Sequence, residues 1–508
     1  MNKILQNIIS IISILLFSIL LKNNLKIINV IGIVGVYLSI YYFFIINIEK
    51  NQEFDLKEIM TILIGYNLQK SSYLLHKSIT KENLYLIANI IMIVLFLGLF
   101  LYNLYKNNQI KKDKFINLCY EFLIVSMPFY IIKGRGRQTL ILVCLITLFR
   151  IFLKKEFIFD KSIKKIYISI LFVIICFAIS FIGNRALEEQ FRAYKDFVEN
   201  LIYLICFMQI KLSNEKLEKS ITVGIISSII PIIPIIVEMI KLKSFSYRLG
   251  ESNPNIWAME AVIWTIIFIY LILYKNKKEY TILYFLYIIG VLVSGSRGGI
   301  LTMIIVNIYL LFNRYKKQRK YLLFIACLIL FSSFGILKTN NRISYTYNLI
   351  KKEKRLDNSS QIRILIYKEA WNQFKAKPIK GFGFDGYKFN SIKRNLEKND
   401  KQLNYLEQNA YSQAHAHNNV LDILCSTGII GIISYISVLF FIIWKILKNN
   451  SGEKILILSI IGSYEMCGLV DCTLYYRGVQ LFVYFIVGLY IAYTTSKISL
   501  SKREKLEQ

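Results

Sequence analysis

The chain has 508 residues, 55% of them hydrophobic, and 63 Lys+Arg against 32 Asp+Glu give a formal net charge of +31. The apolar residues arrive in runs of roughly 15 to 25 broken by short lysine-rich stretches, which is the pattern of membrane-spanning helices. Most of the excess charge lies in short loops between those runs, where the positive-inside bias puts it, so the basic composition gives no ground for nucleic-acid binding.

The N-terminal stretch "MNKILQNIISIISILLFSILLKNN" is long for a signal peptide and lacks a small-x-small cleavage site, so it reads as a first span. Spans are predicted over 3–21, 26–47, 84–105, 115–133, 138–153, 166–183, 197–212, 220–240, 256–274, 280–294, 299–313, 321–337, 418–444, 455–473 and 478–495. The expected fold is therefore an all-α polytopic membrane protein of about 12–15 transmembrane helices. The region 49–83, with its short apolar stretch "IMTILIG", leaves the parity of the N-terminal third open.

In the C-terminal half, "KLSNEKLEKS", "KNKKE", "RYKKQRK", "KILKNNSGEK" and the tail are basic and are assigned to the cytoplasm. The alternate loops then face outward: "KLKSFSYRLGESNPN", "SGSRGG", the stretch 338–416 and "LYYRG". This gives a helix bundle over 1–337, an extracytoplasmic loop carrying short helices over 338–416, C-terminal transmembrane helices over 417–495 and a basic cytoplasmic tail over 496–508. The eight cysteines form no C-x-x-C pair and fall mostly in apolar segments, where they read as small membrane-helix residues.

Among the arginines on the predicted outer face, against the positive-inside bias, three are singled out: Arg248 in "YRLGESNPN", Arg297 in "SGSRGG" and Arg363 in the long loop. A phosphate-bearing ligand would account for them, since a guanidinium binds phosphate oxygens bidentately and stays charged in a low-dielectric site. Structural alternatives stand beside that reading. "QIRILIYKEAWNQF" is predicted to form an amphipathic helix with Arg363, Tyr367, Ala370, Trp371 and Phe374 on one face, where the arginine could snorkel or stack on an aromatic ring. Arg297 could be an interfacial anchor beside glycines that let helices pack closely, and Arg248 an ordinary loop residue.

His415 and His417, two of only three histidines, lie where the long loop runs into the next span. An H-x-H pair can chelate a metal, yet no third histidine, cysteine cluster or carboxylate set is evident beside it, so no metal and no cofactor are expected. His417, Asn418, Leu421, Leu424, Gly428 and Gly431 fit H-N-x-x-L-x-x-L-x-x-x-G-x-x-G, with the leucines and glycines at helical spacing. Asn418 or Asn419 can cap this helix, leaving His417 at its positive end. That end favours the neutral imidazole a general base requires.

On "AHAHNNVLDILCSTGIIG", "GFGFDGY" after "RILIYKEAWNQFKAKPIKG", "SGSRGG" and "RLGESNPN", the sequence resembles the O-antigen ligase and O-antigen polymerase superfamily of bacterial membrane glycosyltransferases. The resemblance covers the half of the chain from about Arg248 onward, and one large loop before a late span also resembles the family. It implies a multi-pass protein of the bacterial cytoplasmic membrane, moving a glycan from an undecaprenyl-diphosphate carrier to a hydroxyl of a lipid- or glycan-linked acceptor on the outer side. By the same resemblance His417 matches the functional histidine, while Arg363, Arg297 and, less closely, Arg248 face the diphosphate. His415 and Asn418 are taken as supporting residues. Polymerase is favoured slightly over ligase. A polysaccharide or lipid-linked sugar transporter is the rival, and would need mid-membrane charges and two related halves; Glu238 and Glu260 are the few candidate charges, and no internal repeat is evident.

Overall fold

The computed structural model describes residues 157–158, 160–184, 188–210, 213–242, 253–314, 356–397 and 403–507, with isolated helical positions between 124 and 151. Arg248, the predicted span 321–337 and most of the N-terminal third lie outside the described residues. By contacts the chain divides into two compact units, Met1–Ile146 with Leu212–Ser227, and Thr147–Lys211 with Ser228–Gln508.

The described residues form helices and no strand. In chain order these are α1 (Lys161–Ile179), α2 (Glu188–Phe207), α3 (Asn214–Leu242), α4 (Pro254–Tyr274), α5 (Thr281–Val293), α6 (Arg297–Arg314), α7 (Asn358–Ala376), α8 (Tyr387–Glu397), α9 (Tyr405–Tyr411), α10 (Asn419–Leu447), α11 (Lys454–Gly468) and α12 (Arg477–Glu507). Among the described residues four stretches are long and apolar enough to cross a membrane: Lys161–Ile179, Pro254–Tyr274, Asn419–Leu447 and Arg477–Ser496. The protein is an all-α membrane protein.

Within the second unit α1 packs along α10, α2 along α12, and α4 against α5, α6 and α11. Three of these four long helices have capped starts, α1 through Asp160, which accepts the Ile163 N–H at 2.7 Å. Asn253 accepts the Asn255 N–H at 3.0 Å ahead of Pro254, whose missing N–H costs nothing at that position. Asn418 accepts the Leu421 N–H at 3.0 Å and caps α10.

The helix α10 is interrupted. Gly428 takes φ 68° and ψ −164°, a region open almost solely to glycine. The backbone groups freed there pair with the segment after α7: Ile429 N–H donates to the Pro378 carbonyl at 2.8 Å, and Gly383 N–H to that of Ser426 at 2.8 Å. Such a break in an apolar span is tolerated because protein backbone satisfies the broken turn. The "GFGFDGY" segment is thus the partner of the break in the "HNxxLxxLxxxGxxG" helix. A Cβ on Gly428 would lie 2.3 Å from the Ile379 carbonyl oxygen. Gly428→Ala should therefore lose most of the folded protein, read as loss of the monodisperse peak after detergent extraction, while Gly452→Ala, with nothing within 4 Å, should leave it intact.

The same segment is held from its other side. Phe384 N–H donates to Ser180 Oγ at 3.1 Å, the Gln190 amide to the Phe384 carbonyl at 3.2 Å, and the Phe384 ring packs 5.2 Å from Phe177 and 5.3 Å from Phe197. Ile366, Ala370, Tyr387, Ala410, Ala416 and Cys425 form one buried cluster, which seats the helices of the loop on the start of α10.

Candidate functional site

Three short segments converge at the start of α10. His417 precedes the cap in a left-handed conformation, φ 49°, and its carbonyl accepts the Tyr367 hydroxyl at 3.2 Å. Ala416 N–H donates to Asp422 Oδ1 at 2.9 Å, which folds the loop back onto the first turn of the helix. The link between α11 and α12 is tied to the same place: Asn418 Nδ2 donates to the Leu469 carbonyl at 2.8 Å and Asn419 Nδ2 to Thr473 Oγ1 at 2.7 Å.

These ties bring Asp471 to His417, with Oδ1 2.8 Å from Nδ1. The carboxylate is 1% exposed and also accepts the Tyr476 hydroxyl at 3.0 Å, the Cys472 N–H at 2.9 Å and, through Oδ2, the Asn255 amide at 2.8 Å. Burial works against its charge, but the hydrogen bond and charge of His417 and the Cys472 N–H outweigh it and hold Asp471 well below the usual carboxylate range. Asp471 is thus an ionised acceptor that fixes the imidazole by Nδ1. The remaining nitrogen, Nε2, lies 3.3 Å from Gln413 Oε1.

His415 is half-buried, stacked on Tyr475 at 5.7 Å and edge-on to His417 at 4.5 Å. Burial first, and then the neighbouring His417, push its pKa down to about 4, so its ring is neutral at neutral pH. Beneath it the Tyr475 hydroxyl donates to Asp422 Oδ2 at 2.6 Å and also meets Asp385. Burial, then Asp422 and Glu189, raise the Asp385 carboxyl to about 8. Raised above its unfolded value, this group stabilises the fold fully below about pH 4, and the contribution is lost as pH rises toward 8. The neutral variant Asp385→Asn should therefore flatten the fall in thermal stability between pH 5 and 8; an unchanged slope would place that fall elsewhere.

Arg297 and Arg363 both line an open cavity of about 600 Å³ that also reaches Asn253, Asn255, Gln413, His417 and Asp471. The two arginines differ. Arg297, at the start of α6, is bound bidentately to Asp357, at 2.9 and 3.3 Å, and donates to Ser360 Oγ at 3.1 Å. It clamps the start of α7 onto the start of α6. A Cβ on Gly298 would fall 2.2 Å from Val470, so this end of α6 also lies close against the Asp471 segment. Arg363 makes no ion pair and no cation–π contact among the described residues. The α7 helix forms as the sequence predicts, but its buried face is Ile366, Glu369, Ala370 and Gln373, and Trp371 stays 46% exposed. Arg363 therefore faces the cavity beside Ser359 and Ile362.

The sequence reading paired the histidines with no carboxylate; the structure corrects this. His415, His417 and Asp471 offer ligand atoms within 4.8 Å of one another. Asp471 was missed because the predicted span 455–473 swallowed it, whereas α11 ends at Gly468. The signal available was a lone aspartate beside "LYYRG" at a membrane edge.

One cavity of this all-α membrane protein carries a histidine–carboxylate pair and an arginine without an ion pair among the described residues, an arrangement capable of acid–base chemistry beside an anion. Residues 282–436 match the family described as O-antigen ligase, a match that supports the resemblance of this part of the chain to the O-antigen ligase and polymerase superfamily. The match spans Arg297, Arg363, His415 and His417 and stops short of Asp471. No curated protein matches the chain. The family match points to a ligase- or glycosyltransferase-type enzyme.

Proposed function

We propose that the protein transfers a glycan from an undecaprenyl-diphosphate carrier to an acceptor hydroxyl at the outer side of the bacterial cytoplasmic membrane, as a multi-pass enzyme that needs no metal. The observation that carries this reading is the His417–Asp471 pair on the same cavity as Arg363, which makes no ion pair among the described residues. The acceptor hydroxyl takes the place of the Gln413 oxygen at Nε2 and gives its proton to that nitrogen. The acceptor oxygen bonds to the anomeric carbon while the bond to the diphosphate breaks, and the electron pair leaves with the carrier. Asp471 stabilises the imidazolium formed, and Arg363 the charge that develops on the departing diphosphate. Such a direct displacement inverts the anomeric centre. Arg297, committed to Asp357, acts mainly by positioning α7, and Arg248 is proposed as a further diphosphate contact from the sequence pattern alone.

The test is transfer by the purified chain from a lipid-linked donor in the presence of a chelator, with the product anomer read by NMR. Donor consumption without chelator and none with it would overturn the metal-free mechanism, and a retained anomer would overturn the direct displacement. Loss of the protein from cells separates the two family activities: surface glycan cut to one repeat means polymerase, and long chains stranded on the carrier mean ligase. The sidedness is tested separately. Tyr405→Cys, at a position 70% exposed, should react with a membrane-impermeant thiol reagent in spheroplasts above the native background, and Gln318→Cys should not. The reverse pattern would invert the topology.

A further inference from the structure

Beside the base proposed above stands a set of ligands that its chemistry does not use. His415 is adjacent to His417, stacked in place by Tyr475, and no step of the transfer engages it. We propose that His415, His417 and Asp471 form a site for a borderline divalent transition metal, Zn²⁺ in the first instance, whose binding switches the transferase off.

The ligand atoms lie within 4.8 Å of one another. Tetrahedral zinc with bonds of about 2.0 Å holds its ligands roughly 3.3 Å apart. The His417–Asp471 edge, at 2.8 Å, has to open slightly and the His415 edges to close, movements within reach of side-chain torsions. Two imidazoles and one carboxylate suit zinc and not magnesium, which prefers an oxygen set. His417 and Asp471 line the cavity, so a fourth position is open to water or to an entering ion.

The surroundings of His417 favour the metal-bound form. A metal-ligating histidine usually donates its other N–H to a carbonyl or carboxylate. Gln413 Nε2 is already committed to the Asn409 carbonyl at 3.0 Å, and this turns the amide oxygen toward His417 Nε2. Zinc entering between His417 and Asp471 forms Zn–Nδ1 and Zn–Oδ bonds and breaks the Nδ1–H···Oδ1 hydrogen bond. The displaced proton passes to Nε2, where the Gln413 oxygen accepts it. The ring stays neutral, and the lone pair that would accept the hydroxyl proton is gone.

This inference rests on the transfer reading for its effect on activity, while metal binding is measurable without turnover. The purified full-length chain is titrated with Co²⁺, followed by visible absorption, and then with Zn²⁺. The expected result is one tetrahedral Co²⁺ site per chain, displaced by Zn²⁺, with transfer lost at one equivalent of Zn²⁺ and restored by chelator. Gln413→Leu should weaken Zn²⁺ binding about 10-fold to 100-fold. His415→Ala should lose the tetrahedral spectrum, and its circular dichroism and elution show whether it remains folded. An active wild type that binds neither ion, or binding unchanged in both variants, would overturn the site. Zinc bound without loss of transfer would overturn the switch. A wild type that binds zinc yet never transfers glycan would sink the transfer reading and the switch together, leaving the metal site.

Discussion

His417→Ala will lower glycan transfer by roughly 100-fold to 10,000-fold, the range seen when a positioned general base is removed. The geometry argues that this loss is chemical and not a failure to fold. Asp471 would remain buried without its imidazole, which is the situation in which a broken ion pair does most damage. But Tyr476, Cys472 N–H and Asn255 continue to donate to it, so the carboxylate keeps three of its four hydrogen bonds. The variant should elute and melt close to wild type and still bind the lipid-linked donor. Asp471→Asn tests the other half of the pair: the amide keeps the volume but cannot stabilise the imidazolium, and its rate should fall between wild type and His417→Ala. His415→Ala should lower transfer only modestly. Wild-type turnover in His417→Ala would remove the base mechanism.

The parts of this site differ in how openly the sequence carries them, and the reason is range. Asn418 caps its own helix three residues on, so that the start of α10 and the place of His417 at its positive end follow from local chemistry. The α7 helix is legible for the same reason. Gly428 is not: its spacing from Leu421 fits a helix, and only the segment 378–383, some 50 residues away, shows that it marks a break. Asp471 fails for a related cause. Hydropathy averages over a window, and the apolar residues before it extend the predicted span past the true end at Gly468. Arg297 and Arg363 look equivalent in sequence, as cations on the outer face. What separates them is Asp357, a residue 60 positions from Arg297 that neutralises one and not the other.

That difference fixes the expected results for the arginines. Arg363→Ala removes a cation that holds no carboxylate among the described residues, so no ion pair among them is lost and thermal stability should stay close to wild type. Transfer should nevertheless collapse. Removing a charged hydrogen-bond partner of a bound ligand costs about 2–5 kcal/mol, which at 1.4 kcal/mol per tenfold is roughly 30-fold to a few thousand-fold. Arg363→Lys should recover little, because an ammonium keeps the charge but lacks the planar fork that grips two phosphate oxygens. Arg297→Ala should behave in the opposite way. It takes the bidentate partner from Asp357, whose side chain is 9% exposed, and it unpins α7 from α6. Its first symptom should be a lowered melting temperature, with activity lost in proportion to the displacement of Arg363. The measurement is a paired one, donor affinity by microscale thermophoresis and melting by intrinsic fluorescence on the same preparations. Full activity in Arg363→Ala would reduce that residue to a surface arginine, and an unaltered melting temperature in Arg297→Ala would return the diphosphate to Arg297 as its direct ligand.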